Sequence, residues 1–312
     1  QLFAYFKNLS LLSCFLGLGI GYSFSKVRLY SLNWTFPLVA LQVSFMYILK
    51  DTPITLFFQN PISEIWNMGQ SIAVGSLHVI LIYFFISTIF LFNALAFIPL
   101  GHLVARLMLN TDPLKAYSYD LLGAIAGIGL FTILSFLWTG PTVWLIISFS
   151  ILIFFQFNLK LNIKFSCITF VILILSLNIF NDTSKMDLHS PYQNVSVKFN
   201  NNQLIPITVQ SNNIWLQTPI DLSNEINQKK NSDWHKFYII PFTSTNYDFK
   251  DILIVGSGTG NDVATAIRNS KGNIDAVEID PLVANLGEKF HPENPYSNSR
   301  VNLIINDARN FI

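Results

Sequence analysis

The chain changes character near residue 180, from long apolar runs to short segments in which apolar and polar positions alternate. A transmembrane helix needs roughly 20 mostly apolar residues, and backbone groups in hydrocarbon must be satisfied within the segment. Six runs come near or exceed that length: 9–24, 34–49, 72–100, 119–138, 142–157 and 165–180. We therefore predict a multi-span α-helical membrane domain of about six helices over residues 1–180, with 51–70 as an interfacial loop.

Two features of the fourth apolar run could serve function. Gly123 and Gly127 have the small-residue spacing that lets helices approach closely, although ordinary packing explains it equally well. Asp120 lies at the predicted start of this helix, where a carboxylate can cap the N-terminus. The same carboxylate could instead form a polar site in the membrane, and the sequence leaves both interpretations open.

Residues 186–246 predict a small β-strand domain. Alternating apolar positions over 195–199, 205–209 and 214–217 are separated by Asn-rich turns, as expected for an antiparallel sheet. Residues 224–232 are polar and predict loop or helix.

Residues 247–312 alternate strands and helices. Strands are predicted at 251–255, 274–279 and 301–305, and helices at 261–269 and 281–290. This order predicts one half of a doubly wound parallel sheet, the α/β Rossmann-like fold of S-adenosylmethionine-dependent methyltransferases. Because the chain begins with Gln1 and ends at Ile312, directly after the third strand, we expect a fragment whose sheet is incomplete at the C-terminus.

A glycine-rich turn, Gly256-Ser-Gly258-Thr-Gly260, follows the first of these strands. Glycine permits the sharp turn into a helix, and an acid at the end of the second strand, here Glu278, can bind ribose hydroxyls. A dinucleotide fingerprint requires glycine at the sixth position, which is Asn261. The pattern favours S-adenosylmethionine; a nicotinamide cofactor, or a turn that binds no ligand, is the alternative.

Composition and charge also indicate that residues 1–180 lie in lipid and that residues 181–312 lie in water. The chain is 51% hydrophobic and 12% charged, against about 25% charged in an average soluble domain. Residues 1–180 carry 12 charges, and residues 181–312 carry 25. The net charge of +1, without a basic run, argues against nucleic acid as a partner. Cys14 and Cys167 lie in apolar runs, so we expect neither a disulfide framework nor a metal site.

Several segments resemble spermidine synthases, the polyamine aminopropyltransferases, and look most like their membrane-fused bacterial relatives. The segments are Asp251 to Val263, Asp275 to Pro281, His291 to Tyr296, Asp307 to Arg309, and more weakly Ser190 to Gln193 and Tyr117 to Gly123. The resemblance covers most of the chain and is strongest from residue 250 to residue 312.

The resemblance implies a transferase that moves an aminopropyl group from decarboxylated S-adenosylmethionine to a small amine. It implies that Gln193 touches the nucleoside, Glu278 the ribose and Asp307 the adenine amino group. The same donor site would include Asp280 and the three glycines of the turn. The family's catalytic aspartate follows a fourth strand, so its counterpart would lie beyond residue 312.

Two departures from the family pattern concern the charge of the site. The family's glycine turn carries an aspartate where Thr259 stands, and that acid would hold the donor's amine. The family's Tyr-His-Glu segment is Trp234-His235-Lys236, and a lysine would repel a cationic polyamine. His235 is either the matching residue or a surface histidine. Two further functions stay open: a methyltransferase acting on a membrane-borne acceptor, and a transporter with a regulatory nucleotide-binding domain.

We expect an integral membrane protein whose partners are the lipid bilayer and a small amine, with a homo-oligomer as one option. The donor-binding chemistry predicts a cytoplasmic location for the second part. With six helices, the distribution of Lys and Arg in the loops would place that part outside, so the positive-inside rule opposes this orientation.

Overall fold

A computed structural model describes residues 7–26, 32–49, 57–58, 71–72, 76–179, 185–199, 206–211, 214–244 and 247–311. The chain forms two compact units, Gln1–Asn181 and Asp182–Ile312. The division between the units falls where the apolar runs of the sequence end.

The first unit is helical. Its helices are α1 (Lys7–Ser23), α2 (Thr35–Leu49), α3 (Ser76–Leu109), α4 (Pro113–Phe136), α5 (Pro141–Asn158) and α6 (Ile163–Ile179), with a parallel pair of two-residue strands, β1 (Phe57–Phe58) and β2 (Ser71–Ile72). Helices occupy all six predicted runs. Among the described residues, however, only Tyr83–Leu109, Pro113–Phe136 and Pro141–Asn158 are long and apolar enough to cross a membrane. Most of the predicted interfacial loop, 51–70, lies outside the described residues.

Helix α4 begins earlier than its apolar run predicts. Asp112 is its N-cap and accepts a hydrogen bond from the backbone N–H of Leu114 at 3.1 Å, and Pro113 occupies the first helical position. Proline is well suited there because its fixed φ matches the helix and its missing N–H would be unpaired anyway. The N-cap interpretation of Asp120 is therefore wrong, and Asp120 lies two turns inside the helix.

Helices α1 and α3 pack so closely that Gly17, Gly21 and Gly101 have no room for a Cβ atom between the two backbones. A Cβ atom on Gly17 would lie 2.1 Å from the carbonyl oxygen of Ala94, whereas a Cβ on Gly19 would meet nothing within 4 Å. Beside this contact, the amide of Asn93 donates hydrogen bonds to the backbone oxygen of Ser10 at 2.9 Å and to the hydroxyl of Ser13 at 2.6 Å. Small residues at the contact and a polar bond across it are typical of helix pairs in membranes.

The second unit opens with a four-stranded antiparallel sheet. Its strands follow one another in chain order as β3 (Lys185–His189), β4 (Asn194–Phe199), β5 (Pro206–Ser211) and β6 (Ile214–Gln217), and two short helices follow, α7 (Glu225–Lys230) and α8 (Ser232–Thr243). The three strands expected from the alternation are present, and β3 adds a fourth at the edge.

A three-stranded parallel sheet forms the rest of the second unit. Its elements are β7 (Asp251–Val255), α9 (Asn261–Asn269), β8 (Asn273–Glu278), α10 (Pro281–Phe290), β9 (Val301–Ile305) and α11 (Ala308–Phe311), and the strand order is β7-β8-β9. The second unit is thus a mixed α/β arrangement. Its extension to a complete doubly wound sheet stays a prediction.

Helix α10 joins the two sheets of this unit. One buried cluster contains valines of the antiparallel sheet and apolar residues of α10: Val195, Val197, Val209, Leu282, Val283 and Leu286. On the parallel sheet, Val263 and Ala266 of α9 pack against Ile274 and Ala276 of β8. Burial of these side chains holds the antiparallel sheet beside the edge where β7, β8 and β9 end.

The α1–α3 contact predicts different effects for two alanine substitutions in one helix. Gly17→Ala should lower the stability of the purified protein in detergent by about 1–3 kcal/mol, because the new Cβ overlaps the backbone of α3. Gly19→Ala should leave stability unchanged or raise it, because alanine favours helix by about 1 kcal/mol over glycine. Thermal unfolding of the two variants would measure the difference; equal melting temperatures would contradict the close contact.

Candidate functional site

The parallel register of the second sheet gathers most of the predicted site residues at one edge. Val255 pairs with Val277, and Glu278 pairs with Ile305, so the three strands end side by side. The residues that follow these strand ends are the glycine turn, Asp280 and Asp307. Ligands of open α/β sheets bind outside this carboxyl edge.

The glycine turn has the left-handed backbone that its sequence predicts, with φ of +73°, +60° and +102° at its three glycines. At Gly258 a Cβ would also lie 2.5 Å from the Oε1 atom of Gln217. Residues with a side chain rarely adopt such φ values, because Cβ then approaches the following carbonyl. Alanine at residue 258 would therefore have an unfavourable φ and, in addition, a steric overlap with Gln217.

All five backbone N–H groups of the turn donate to protein acceptors. Those of Gly256 and Ser257 bond to the carbonyl of Val277 at 2.8 and 3.0 Å, and that of Gly260 bonds to the carbonyl of Ser257 at 3.0 Å. The other two bond to side chains: Gly258 to Glu278 Oε2 at 2.8 Å, and Thr259 to Gln217 Oε1 at 2.7 Å. These bonds fix the turn to β6 and β8.

The carboxylate of Glu278 closes the turn from the end of β8. One oxygen accepts from the N–H of Gly258, and the other accepts from the N–H of Asp280 at 3.0 Å. An ionised carboxylate offers about four acceptor positions, so two more hydrogen bonds are available to it. Two such positions match the two hydroxyls of a ribose.

Asp280 is fully buried and bonded on both oxygens. Its Oδ1 accepts from the N–H of Leu282 at 2.9 Å and so caps helix α10. Its Oδ2 accepts from the hydroxyl of Ser190 at 2.7 Å and from the side-chain amide of Gln193 at 2.9 Å. These bonds give Asp280 a positioning role: it anchors the predicted ligand residue Gln193 to the edge of the parallel sheet.

The amide oxygen of Gln193 has a partner as well, because the hydroxyl of Ser211 donates to it. Both ends of the Gln193 side chain are thereby fixed between β5 and α10. Contact of Gln193 with a nucleoside remains a prediction from the resemblance.

Thr259 faces into the protein. Its side chain is fully buried, and its hydroxyl donates to Gln217 Oε1 at 2.7 Å, the same atom that accepts from its backbone N–H. Gln217 is the last residue of β6 and has no sequence motif that marks it. Only the fold reveals that the antiparallel sheet supports the glycine turn through this side chain.

Asn261 is a second residue whose role the sequence does not reveal. Its Oδ1 accepts from the N–H of Ile220 at 3.1 Å, and its Nδ2 donates to the carbonyl of Thr218 at 2.8 Å and to the hydroxyl of Tyr238 at 2.9 Å. His291 Nε2 also lies 2.9 Å from Oδ1. The residue that replaces the sixth-position glycine therefore ties three segments to the start of α9.

His291 is held as a neutral ring. The backbone N–H of Glu293 donates to its Nδ1 at 3.1 Å, so the proton resides on Nε2, which donates to Asn261 Oδ1. Burial, together with the nearby positive charge of Arg268, lowers the pKa of His291 from 6.5 to about 4. His291 is thus a structural residue, as is Tyr296, whose buried hydroxyl donates to the carbonyl of Gly258 at 2.8 Å and whose pKa burial raises.

Asp307 follows β9 at the same edge and is the most exposed of the predicted acids there. Its Oδ2 pairs with Arg309 at 2.6 Å, and its Oδ1 accepts from the N–H of Arg309 at 3.0 Å. These hydrogen bonds lower the pKa of Asp307, so it is ionised at neutral pH. Within the described ranges, no three His, Cys, Asp or Glu side chains form a group that could hold a metal ion.

The segment Trp234-His235-Lys236 lies in helix α8. The ring of Trp234 packs against that of Trp215 with centroids 5.6 Å apart, His235 is half-buried and Lys236 is exposed. None of the hydrogen bonds found among the described residues links His235 to the glycine turn, so the choice between a matching residue and a surface histidine is still open.

The neutral state of His291 predicts a loss of stability in acid. The unfolded histidine binds a proton below about pH 6.5, whereas the folded one does so only below about pH 4. Stability is therefore greatest above pH 6.5 and falls by about 3 kcal/mol as the pH drops from 6.5 to 4. His291→Gln, which keeps a donor for Asn261 but does not titrate, should flatten this dependence.

Urea unfolding of the full-length protein, followed by pulse proteolysis at several pH values, would measure this effect. His235→Gln provides a histidine control on the half-buried surface of α8. An unchanged pH slope in His291→Gln would show that the ring does not control acid stability.

Comparison with known proteins gives a partial match. The chain is 40% identical over 67 residues, 20% of its length, to the polyamine aminopropyltransferases of Buchnera aphidicola subsp. Acyrthosiphon pisum, strains Tuc7, 5A and APS. The match spans 23% of those proteins. No family model matches the chain. A segment of this chain is therefore similar to an aminopropyltransferase.

Proposed function

We propose that this protein is a membrane-bound transferase of the spermidine-synthase type, which binds decarboxylated S-adenosylmethionine and transfers its aminopropyl group to a small amine. The segment similar to polyamine aminopropyltransferases supports the reaction class. Three helices of membrane-spanning length and composition support a place in a bilayer. We further propose that the second unit lies on the cytoplasmic side, where such a donor would be made.

The hydrogen bonding of the glycine turn, in which each backbone N–H has a protein acceptor, is the observation that carries the donor assignment. A dinucleotide needs backbone N–H groups at this turn or at the start of the following helix to bind its pyrophosphate. Here all five N–H groups of Gly256 to Gly260 are already paired with protein acceptors. A sulfonium nucleoside carries no phosphate and makes no such demand. With the N–H groups of the turn occupied and Asn261 in place of the sixth-position glycine, an S-adenosylmethionine-type donor is favoured over a nicotinamide cofactor.

Two acids at the sheet edge suit the remaining parts of such a donor. Glu278 retains acceptor positions for the ribose hydroxyls after bonding to two backbone N–H groups. Asp307, ionised and partly exposed, can accept from the adenine amino group, provided that Arg309 leaves it one acceptor position. The bonds of Gln193 to Asp280 and Ser211 would keep its chain in a fixed place beside the nucleoside.

The transfer needs little covalent chemistry from the protein. The acceptor nitrogen attacks the carbon next to the sulfonium, a C–N bond forms, the C–S bond breaks, and methylthioadenosine leaves with the electron pair. Because the positive charge on sulfur disappears, the site acts mainly by orienting the partners and excluding water. A carboxylate that takes the amine proton would complete the reaction, and the resemblance puts it after a fourth strand.

Titration with methylthioadenosine, the product nucleoside, tests the donor site. The full-length protein in detergent should bind it, and Glu278→Gln should weaken binding by about tenfold or more, since a charge-assisted hydrogen bond to ribose is lost. Asp275→Asn is the matched control, because Asp275 lies on the same strand and bonds to Asn302 instead of the turn. Absence of heat from methylthioadenosine and from both forms of the donor would overturn the proposal.

A methyltransferase acting on a membrane-borne acceptor is the second candidate. It is favoured by the state of Thr259, whose buried hydroxyl is bonded to Gln217 where the family has an aspartate for the donor's amine. Without that carboxylate, the advantage of the decarboxylated donor over intact S-adenosylmethionine is reduced. Lys236 is exposed and adds a positive charge to α8, which is unfavourable for a polyamine.

The relative affinities of the two donors separate these candidates. An aminopropyltransferase should bind decarboxylated S-adenosylmethionine more tightly than the intact donor, and incubation with putrescine should release methylthioadenosine. A methyltransferase should show the reverse preference and release S-adenosylhomocysteine in the presence of membranes. Mass spectrometry of the released nucleoside distinguishes the two products directly.

A further inference from the structure

An acidic residue lies well inside the apolar helix α4. The helix has 24 residues, so it is about 36 Å long, against roughly 30 Å for the hydrocarbon core of a bilayer. Asp120 stands seven residues after Pro113, about 10 Å along the axis. A helix centred in the bilayer would thus hold this carboxylate about 7 Å below the hydrocarbon boundary.

Asp120 borders a groove formed by α3, α4 and α5. The volume of the groove is about 550 Å³. Its wall is apolar apart from the hydroxyls of Thr111 and Tyr119 and this one carboxylate, and Leu107, Met108 and Phe155 are among its apolar residues. Ligand pockets of this size take one small molecule, mostly against apolar walls with a few polar groups that orient it.

The carboxylate of Asp120 has no cationic partner in the part of the chain that the structure describes. The two ion pairs found there, Arg268 with Glu293 and Arg309 with Asp307, belong to the second unit. Lys115 is five residues from Asp120 on the same helix, a spacing that puts the two side chains on different faces. An unpaired carboxylate at this depth is costly, and ionisable residues in membrane helices normally pair with an opposite charge.

We propose that this groove binds a single-chain alkylamine, with its ammonium group on Asp120 and its hydrocarbon chain along the apolar wall. The charge of the carboxylate selects a cation, and the lining selects a hydrocarbon attached to it. The volume fits one chain of a membrane-dissolved amine better than a lipid with two chains. The inference rests on the membrane placement in the proposed function and is independent of the transferase reaction.

Equilibrium binding of tritiated dodecylamine to the full-length protein in phosphatidylcholine nanodiscs tests the site, with empty nanodiscs subtracted. The wild-type protein should show saturable binding, and Asp120→Asn should weaken it by about tenfold or more, because the ion pair is lost. Asp120→Glu should retain binding. Asp112→Asn is the matched control, since Asn caps a helix as well as Asp does and Asp112 does not line the groove.

Competition identifies the chemistry that the groove selects. Dodecanol has the same chain without the charge and should not displace dodecylamine. Equal binding to Asp120→Asn, displacement by dodecanol, or no saturable binding to the wild type would each overturn the proposal. If phosphatidylethanolamine in the nanodiscs weakens dodecylamine binding to the wild type alone, the occupant is an aminolipid and the single-chain assignment is wrong.

Two controls separate this result from failure of the proposed function. Methylthioadenosine binding should be the same in Asp120→Asn and in the wild type, because Asp120 belongs to the other unit. Carbonate extraction of cell membranes should leave the protein in the pellet. Release of the protein into the supernatant would reject the membrane placement, and the alkylamine site with it.

Discussion

The second unit depends on one buried carboxylate. Asp280 caps helix α10 with one oxygen and binds Ser190 and Gln193 of the antiparallel-sheet region with the other. A buried charge is tolerated only where hydrogen bonds replace its hydration, and Asp280 has three donors. Loss of these bonds would leave an unsatisfied carboxylate between two sheets. The contact thus sets where the antiparallel sheet stands relative to the strand ends.

Hydrogen bonds from polar side chains to the backbone also hold the candidate site in place. Glu278 and Gln217 each accept from the glycine turn, and Asn261 and His291 hold the segment that enters helix α9. The turn is therefore rigid before any ligand arrives, which lowers the entropy cost of binding. In the helical unit, by contrast, Asp120 has no ion-pair partner among the described residues, and the alkylamine site that we propose would supply one.

Regular patterns in the sequence predict the elements well. The apolar runs locate the six helices, and the βαβαβ order and the glycine turn are found where the sequence predicts them. The start of α4 is missed because polar residues such as Lys115 precede the apolar run, whereas the Asp112-Pro113 cap decides where the helix begins. Gln217 and Asn261 are missed for another reason. Their roles come from contacts with residues far away in the chain, which no local spacing encodes.

The pairing of Gln217 with Thr259 has a consequence for how this site can change over generations. One amide oxygen accepts two hydrogen bonds from Thr259, one from the backbone and one from the hydroxyl. An aspartate at residue 259 would bring a carboxylate against that oxygen, so the amide of Gln217 would have to turn over or be replaced. A change at residue 259 is therefore coupled to the side chain at residue 217. Strand β6 of the antiparallel sheet thus constrains which side chain the glycine turn of the parallel sheet can present to a ligand.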